Sequence, residues 1–309
     1  MENKVQNDIQ HDNEIDLKEL FAVLWTEKIK IIAITAVFAV ISVFYSLSLP
    51  DQYKATALLA SAQSDDAGLS GSLDQLGGLA SLAGVNIASE SSEVQIAQEI
   101  MKSWSFIESF IADNDLAIEV FAAEGWNKEL NELQISEDIY DMEKKEWLFE
   151  HRDGTIGEPS SWDLFEAFSG LLDVSEDKKS GLVSVSIEYY SPQIAKQWSD
   201  MYVAAINAHM QKRQVTKVTN NINYLQVQIE KSSISEMRNI FYSIVAEQTK
   251  NKMVAEASPD YAFVTVSPSM VPEVKSQPTR SLICILGTLL GGMLSVLLVL
   301  AQSYARNSS

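Results

Sequence analysis

The chain has 309 residues, 46% of them hydrophobic, and carries 42 acidic residues against 23 basic ones, a formal net charge of −19. That balance argues against nucleic acid as a partner, because phosphates call for a basic surface. The single cysteine, Cys284, excludes an intrachain disulfide and sits in an apolar stretch, where it reads as a small hydrophobe rather than a nucleophile.

The residues up to Asn13 are polar. Leu17, Leu20, Phe21, Leu24 and Trp25 then fall on one face of a helix, and Asp16 with Glu19 resembles a capping box. This predicts a short amphipathic helix in the membrane interface, with Trp25 at headgroup depth; the first turns of a longer membrane helix are the alternative. Ile31–Leu49 is uncharged over nineteen residues and comes after Lys28 and Lys30. It is too long and too far from the start for a signal peptide, so a retained membrane anchor is expected.

Tyr53–Leu59 reads as a strand. Between Ser61 and Ser92, Gly68, Gly71, Gly77, Gly78 and Gly84 alternate with Leu69, Leu73, Leu76, Leu79 and Leu82. A loop that packs against something, such as a neighbouring subunit, or a plain flexible loop would both fit. Helical spacing returns through Ala97, Ile100, Met101, Trp104, Ile107 and Ile111, and the acidic stretch 127–150 reads as a solvated face. A helix begins at Ser160 or Ser161. Val183, Val185, Ile187 and Tyr189 then alternate with polar residues as a half-buried strand after the Lys179-Ser180-Gly181 turn.

Ser191-Pro192 is a helix start, with serine as the cap and proline in the first turn. No further proline or glycine occurs until Pro259, and residues 192–257 as one helix would span about 99 Å. Val215, Val218, Ile222, Leu225 and Ile229 form a coiled-coil-like seam, with a slip at Ser232-Ser233, either a stutter or a break between two helices, before Ile234, Met237, Phe241 and Ile244. The expectation is a long projecting helix; two ordinary helices in a bundle are the alternative. Tyr261–Val266 is a last strand returning to the first. Pro268, Pro272 and Pro278 then hold the chain extended. Leu282–Ala301 is uncharged over twenty residues, about 30 Å of helix and enough to cross a bilayer core. Within it Gly287 and Gly291 make a GxxxG, with Gly292 directly after, which lets membrane helices approach closely.

Two spans put both termini on one side, and Lys28 and Lys30 mark that side as cytoplasmic. The expected division is therefore a cytoplasmic N-terminus over 1–30, spans over 31–49 and 281–301, a tail over 302–309, and an extracytoplasmic domain over 50–280. From residue 51 to 280 that domain has 18 Lys and Arg against 35 Asp and Glu, about −17. The fold class is an α+β membrane protein, a two-helix transmembrane hairpin carrying an α/β base domain with a long projecting helix. No G-x-x-x-x-G-K-[ST] is present, and His11, His151 and His209 are scattered, so no catalytic residue, cofactor or metal is expected.

The order of parts resembles the chain-length determinant (Wzz-type polysaccharide co-polymerase) family, in the form without a fused tyrosine kinase. The resemblance rests on Asp16-Leu17-x-x-Leu20, Tyr53-Lys54-Ala55 after the first span, and Glu247-Gln-Thr-Lys250. It continues through Tyr261-Ala-Phe, the proline segment Pro268, Pro272 and Pro278, and Gly291-Gly292 in the second span, a shorter glycine run than some members carry. It implies an oligomeric ring of copies of this chain in the bacterial inner membrane, with the main domain periplasmic. It also implies a separate membrane polymerase and a lipid-linked, O-antigen-like polysaccharide as partners, with the modal polymer length as the regulated quantity. The proline segment and spans would hold the ring and meet the polymerase. An export or assembly scaffold is the alternative. A two-span sensor is a further one, disfavoured by the short flanks around the spans.

Overall fold

A computed structural model describes residues 24–62 and 90–307, which form two compact units. The amphipathic positions Leu17, Leu20 and Phe21 and the Gly/Leu stretch 68–84 lie outside the described residues. Mixed helix and strand, two apolar helices near the ends and a long helix give the α+β membrane-protein class expected from the sequence.

The membrane unit contains α1 (Lys28–Ser48) and the helix Arg280–Asn307, which is α8 in chain order. Both are long and apolar enough to cross a bilayer. Leu49 turns extended (φ −76°, ψ 134°) because Pro50 disfavours helical geometry at the residue before it. Near the start of α1, the Lys28 ammonium lies 4.6 Å from the centre of the Trp25 ring.

The second unit, Asp51–Ser276, holds β1 (Tyr53–Ser61), α2 (Glu90–Met101), α3 (Trp104–Asp113), α4 (Ala117–Phe121), β2 (Ala123–Asn127), β3 (Glu132–Ile135), β4 (Tyr140–Asp141) and β5 (Glu146–Trp147). After them come α5 (Ser161–Leu171), β6 (Leu172–Asp177), β7 (Leu182–Tyr189), α6 (Pro192–Lys231), α7 (Ser235–Ala257) and β8 (Phe263–Ser267). The main sheet runs β6-β7-β1-β8 with every pairing antiparallel, so the base is α+β rather than built on parallel α/β crossovers. Strand alternation decides its faces. Tyr53, Ala55, Ala57 and Leu59 of β1, opposite Tyr189, Ile187, Val185 and Val183 of β7, are buried. On the other face Lys54 pairs with Asp173 at 2.9 Å and the Thr56 and Ser186 hydroxyls bond at 2.9 Å.

The buried face meets the first half of α6, which contributes Trp198, Tyr202 and Ile206, and Phe106 and Phe110 of α3. Tyr202 is ringed edge-on by Phe106 and Phe110 at 5.3 and 4.8 Å, and Tyr189 lies 4.5 Å from Trp198. The Tyr202 hydroxyl donates to the Met101 carbonyl, and the Tyr189 hydroxyl to the Glu119 carbonyl at 2.5 Å. Burial drives both phenols far above their ordinary pKa. An unfolded phenol ionises near pH 10, roughly its model value. Above that pH the unfolded state therefore sheds protons that the folded state keeps, and this share of stability is lost as pH rises. Thermal unfolding of the full chain in detergent is expected to lose Tm steadily above about pH 10, and Tyr202→Phe should flatten that decline.

The structure departs from the sequence expectations, or adds to them, in three places. The helical rhythm from Ala97 to Ile111 is two helices, because Ser103 caps α3 by accepting from the Phe106 amide. The acidic stretch 127–150 keeps most of its charged side chains exposed, the solvated face expected, but it is built as two hairpins, β2–β3 and β4–β5, that the sequence did not announce. The 192–257 rod is not one helix: α6 has 40 residues, about 60 Å, and ends at Lys231. Ser232 and Ile234 are extended, and α7 folds back along α6. Two adjacent serines are poor helix formers, and reversing there lets the apolar stripes of both helices cover each other.

Candidate functional site

Three groups of residues were singled out by the sequence. The first is the glycine row of α8, the Arg280–Asn307 helix, which faces α1. A Cβ on Gly287 would lie 2.5 Å from the Ser42 Cβ and 3.0 Å from its hydroxyl. On Gly291 it would overlap the Phe38 Cβ and lie 2.8 Å from the Phe38 Cγ, whereas on Gly292 its nearest neighbour is the Thr35 hydroxyl at 4.0 Å. Gly287, Gly291, Ser295 and Val299 recur every four residues, which keeps them on one stripe. The Thr35 and Ser295 hydroxyls meet at 3.3 Å, and Ser295 and Ser42 are buried. The close approach expected of the GxxxG is therefore made within one chain, between its own two spans.

The second is the proline segment. No helix forms between β8 and Arg280. Pro268 is exposed and Pro272 half-buried, and the backbone beside them is pinned by two serines. Ser269, almost fully buried, shares its single hydroxyl proton between the Asp200 carboxylate and, at 3.2 Å, the Lys196 carbonyl, while Lys196 and Asp200 pair at 2.5 Å. Ser276 donates its amide to the Gln52 carbonyl at 2.8 Å and its hydroxyl to Glu188, and Lys275 pairs with Asp51 at 3.0 Å. Pro278 falls in the membrane unit, two residues before the Arg280–Asn307 helix.

The third is the seam of α6. Val218 and Ile229 are buried and Val215, Ile222 and Leu225 half-buried. The half-buried positions of α7, Phe241, Ile244 and Val245, recur at helical spacing, so the seam closes on a helix of the same chain.

Asn207 and Gln211, one turn apart on α6, were not singled out. Asn207 is buried; its side-chain oxygen accepts from the Ala262 and Phe263 amides at 3.0 and 2.9 Å, and its nitrogen donates to the Phe263 carbonyl at 2.8 Å. Gln211 donates to the carbonyls of Ala255 and Ser258 at 2.9 and 3.0 Å, at the end of α7. Together they fasten the α7–β8 connection to α6. The one available signal was an asparagine placed amid the apolar face of Tyr202, Val203, Ile206 and Met210.

Among the described residues no group of three or more His, Cys, Asp or Glu could hold a metal. His151 and His209 have separate surroundings. His209 lies edge-on to Phe106 at 5.3 Å, and its pKa is lowered by burial and then by the neighbouring Arg213 and Lys212.

Residues 13–114 match the family described as "Wzz: Chain length determinant protein". No curated protein matches the chain. Among solved structures, the chain is similar to a full-length bacterial polysaccharide co-polymerase at 15% identity, covering 96% of this chain and 99% of that one with a TM-score of 0.37. It is also similar to a fragment of WzzB, a polysaccharide co-polymerase from Salmonella Typhimurium, at 13% identity, covering 74% of this chain and 100% of that one with a TM-score of 0.31. The family match starts ahead of the first span, crosses it and β1, and ends just past α3. Over residues 13–114, about a third of its length, the chain is similar to the Wzz chain length determinant family.

Proposed function

We propose that this protein sets the modal length of a lipid-linked, O-antigen-like surface polysaccharide, acting in the bacterial inner membrane as an oligomer beside a separate polymerase. The observation that carries the reading is the chain length determinant match over residues 13–114. Co-polymerases of this family are regulatory and non-enzymatic, so length control here is exerted by architecture. Both termini are assigned to the cytoplasm and the Asp51–Ser276 unit to the periplasm, in keeping with Lys28 and Lys30 at the start of α1. Self-association is supported by large apolar side chains left uncovered on the α6/α7 pair: Tyr224, Ile240, Tyr242, Met253 and Val254 are each more than half exposed. The glycine stripe supports a fixed hairpin of spans, and the proline segment is assigned to contact with the polymerase.

The test is the size distribution of the host's surface polysaccharide on a gel, with the gene deleted and then restored. Deletion is expected to replace a clustered set of bands by short or randomly distributed lengths, and restoration to bring the cluster back. An unchanged distribution with loss of total polymer would instead favour an export or assembly scaffold. No change in either would overturn the regulator reading.

A further inference from the structure

The loop between Ser269 and Lys275 is held at both ends by the buried Ser269 and by the Lys275–Asp51 and Ser276–Gln52 contacts. Between those pins it turns large apolar side chains outward: Met270 is 76% exposed, Val271 44% and Val274 79%. Pro272, in the middle, fixes its own backbone and restricts that of Val271. A pinned, proline-stiffened loop that keeps three apolar groups in the open has no use for them inside its own unit.

The covalent chain identifies the occupant. Asp51 lies three residues beyond Ser48, the last residue of α1, and Ser276 four residues before Arg280. Fully extended, these tethers reach no more than about 10 and 14 Å. Val274 is six residues from Arg280, at most about 20 Å of chain. The interfacial layer on each side of a bilayer core is itself roughly 5–7 Å deep. We infer that Met270, Val271 and Val274 are a lipid-inserting lip, which seats the base of the extramembrane unit in the interface of the bilayer that α1 and the Arg280–Asn307 helix cross. Charge shapes the mode of contact. Glu273 lies in the loop and Lys275 is paired with Asp51, so anionic headgroups have little to attract and a zwitterionic surface suffices. The inference rests on the reading of the two apolar helices as membrane spans, and the controls separate the two.

The experiment uses the full chain in phosphatidylcholine nanodiscs, in a Cys284→Ser background. A small fluorophore is attached at Met270→Cys or Val274→Cys, both exposed and free of core contacts, and quenched by lipid with a doxyl group high on the acyl chain. Leu290→Cys, inside the second apolar helix, is the positive control, and Ile234→Cys, exposed at the reversal between α6 and α7, the negative one. At least twofold quenching is expected at 270 and 274, unchanged when part of the lipid is replaced by phosphatidylglycerol, with none at 234. Quenching at 290 but not at 270 or 274 would overturn the lip alone. Lack of quenching at 290 would overturn the span reading, and the lip with it. Disulfide-linked dimers through 274 without quenching would assign the surface to a second copy and likewise overturn the lipid contact.

Discussion

Gly291→Leu is expected to force the two membrane helices apart. The position has no room for even a Cβ, since that atom would overlap Phe38. Inserting extra carbons into a packed contact typically costs about 1–3 kcal/mol, and a leucine on a stripe buried against the neighbouring helix belongs at the upper end. In lipid the loss is not cushioned by the hydrophobic effect, because helix association there depends on close packing itself. A direct readout is oxidative cross-linking of Thr35→Cys with Ser295→Cys, whose native hydroxyls stand 3.3 Å apart. In a Cys284→Ser background the pair should cross-link efficiently, and adding Gly291→Leu should cut the yield several-fold. Alanine gives a finer order. Gly291→Ala and Gly287→Ala should both weaken cross-linking, whereas Gly292→Ala, whose Cβ would meet nothing closer than 4.0 Å, should leave it unchanged. Phe38→Ala should restore part of the loss caused by Gly291→Ala, since the two changes act on one contact. If Gly291→Leu cross-links as well as the parent, the glycines do not hold this hairpin together. If it does not, and the polysaccharide bands also lose their clustering, the hairpin is part of the length-setting apparatus.

The spans were legible in the sequence because nothing but a bilayer calls for twenty uncharged residues in a row. β7 was legible from strict alternation, and the starts of α5 and α6 from Ser160 and Ser191, which both cap as their sequences suggest. The glycines were legible as a packing motif, but their partner was not. Pairing Gly287 with Ser42 and Gly291 with Phe38 depends on the register of two helices some 250 residues apart in the chain, and no local pattern carries that. The slip at Ser232-Ser233 marked the place of the break, but apolar spacing resumes on the far side, and a helix that continues and a helix that returns present similar stripes. The small hairpins were hidden differently. Asn127 and Asp141 each accept from the amides two and three residues on, and Asn131 and Lys145, four residues on, take positive φ. The same geometry occurs after Asp177, where the left-handed position is Gly181 and the turn was anticipated. With asparagine or lysine in that position and strands of two to five residues, the turn loses the glycine that announces it.

Asn207→Leu is expected to cost the extramembrane unit more than any other single change on α6. The substitution keeps the side chain's size and swaps a satisfied amide for an apolar group, so its effect isolates the three hydrogen bonds. Their partners, the Ala262 and Phe263 amides and the Phe263 carbonyl, lie where β8 begins, and Phe263 is fully buried. Each stranded buried group costs about 1–3 kcal/mol, so a loss of at least about 3 kcal/mol is expected. For a unit of 226 residues this corresponds to a fall in Tm of roughly 6–12 °C. Asn207→Asp divides the clamp. It keeps an acceptor for the two amides but sets a carboxylate against the Phe263 carbonyl and buries a charge, so it should destabilise at neutral pH and recover partly under acid, when the carboxyl can donate. Gln211→Ala, which removes bonds at a more open site, should cost only about 1 kcal/mol. Because β8 is an edge strand held to the sheet by β1 alone, loosening Asn207 should also free the rest of that strand. Hydrogen exchange at Val264–Ser267 should rise in Asn207→Leu while β7 stays protected. Equal protection at both strands would show that β1 pairing suffices and that the clamp holds nothing. Selective loss at β8 would make α6 the element that fixes where the chain leaves the sheet for the proline segment.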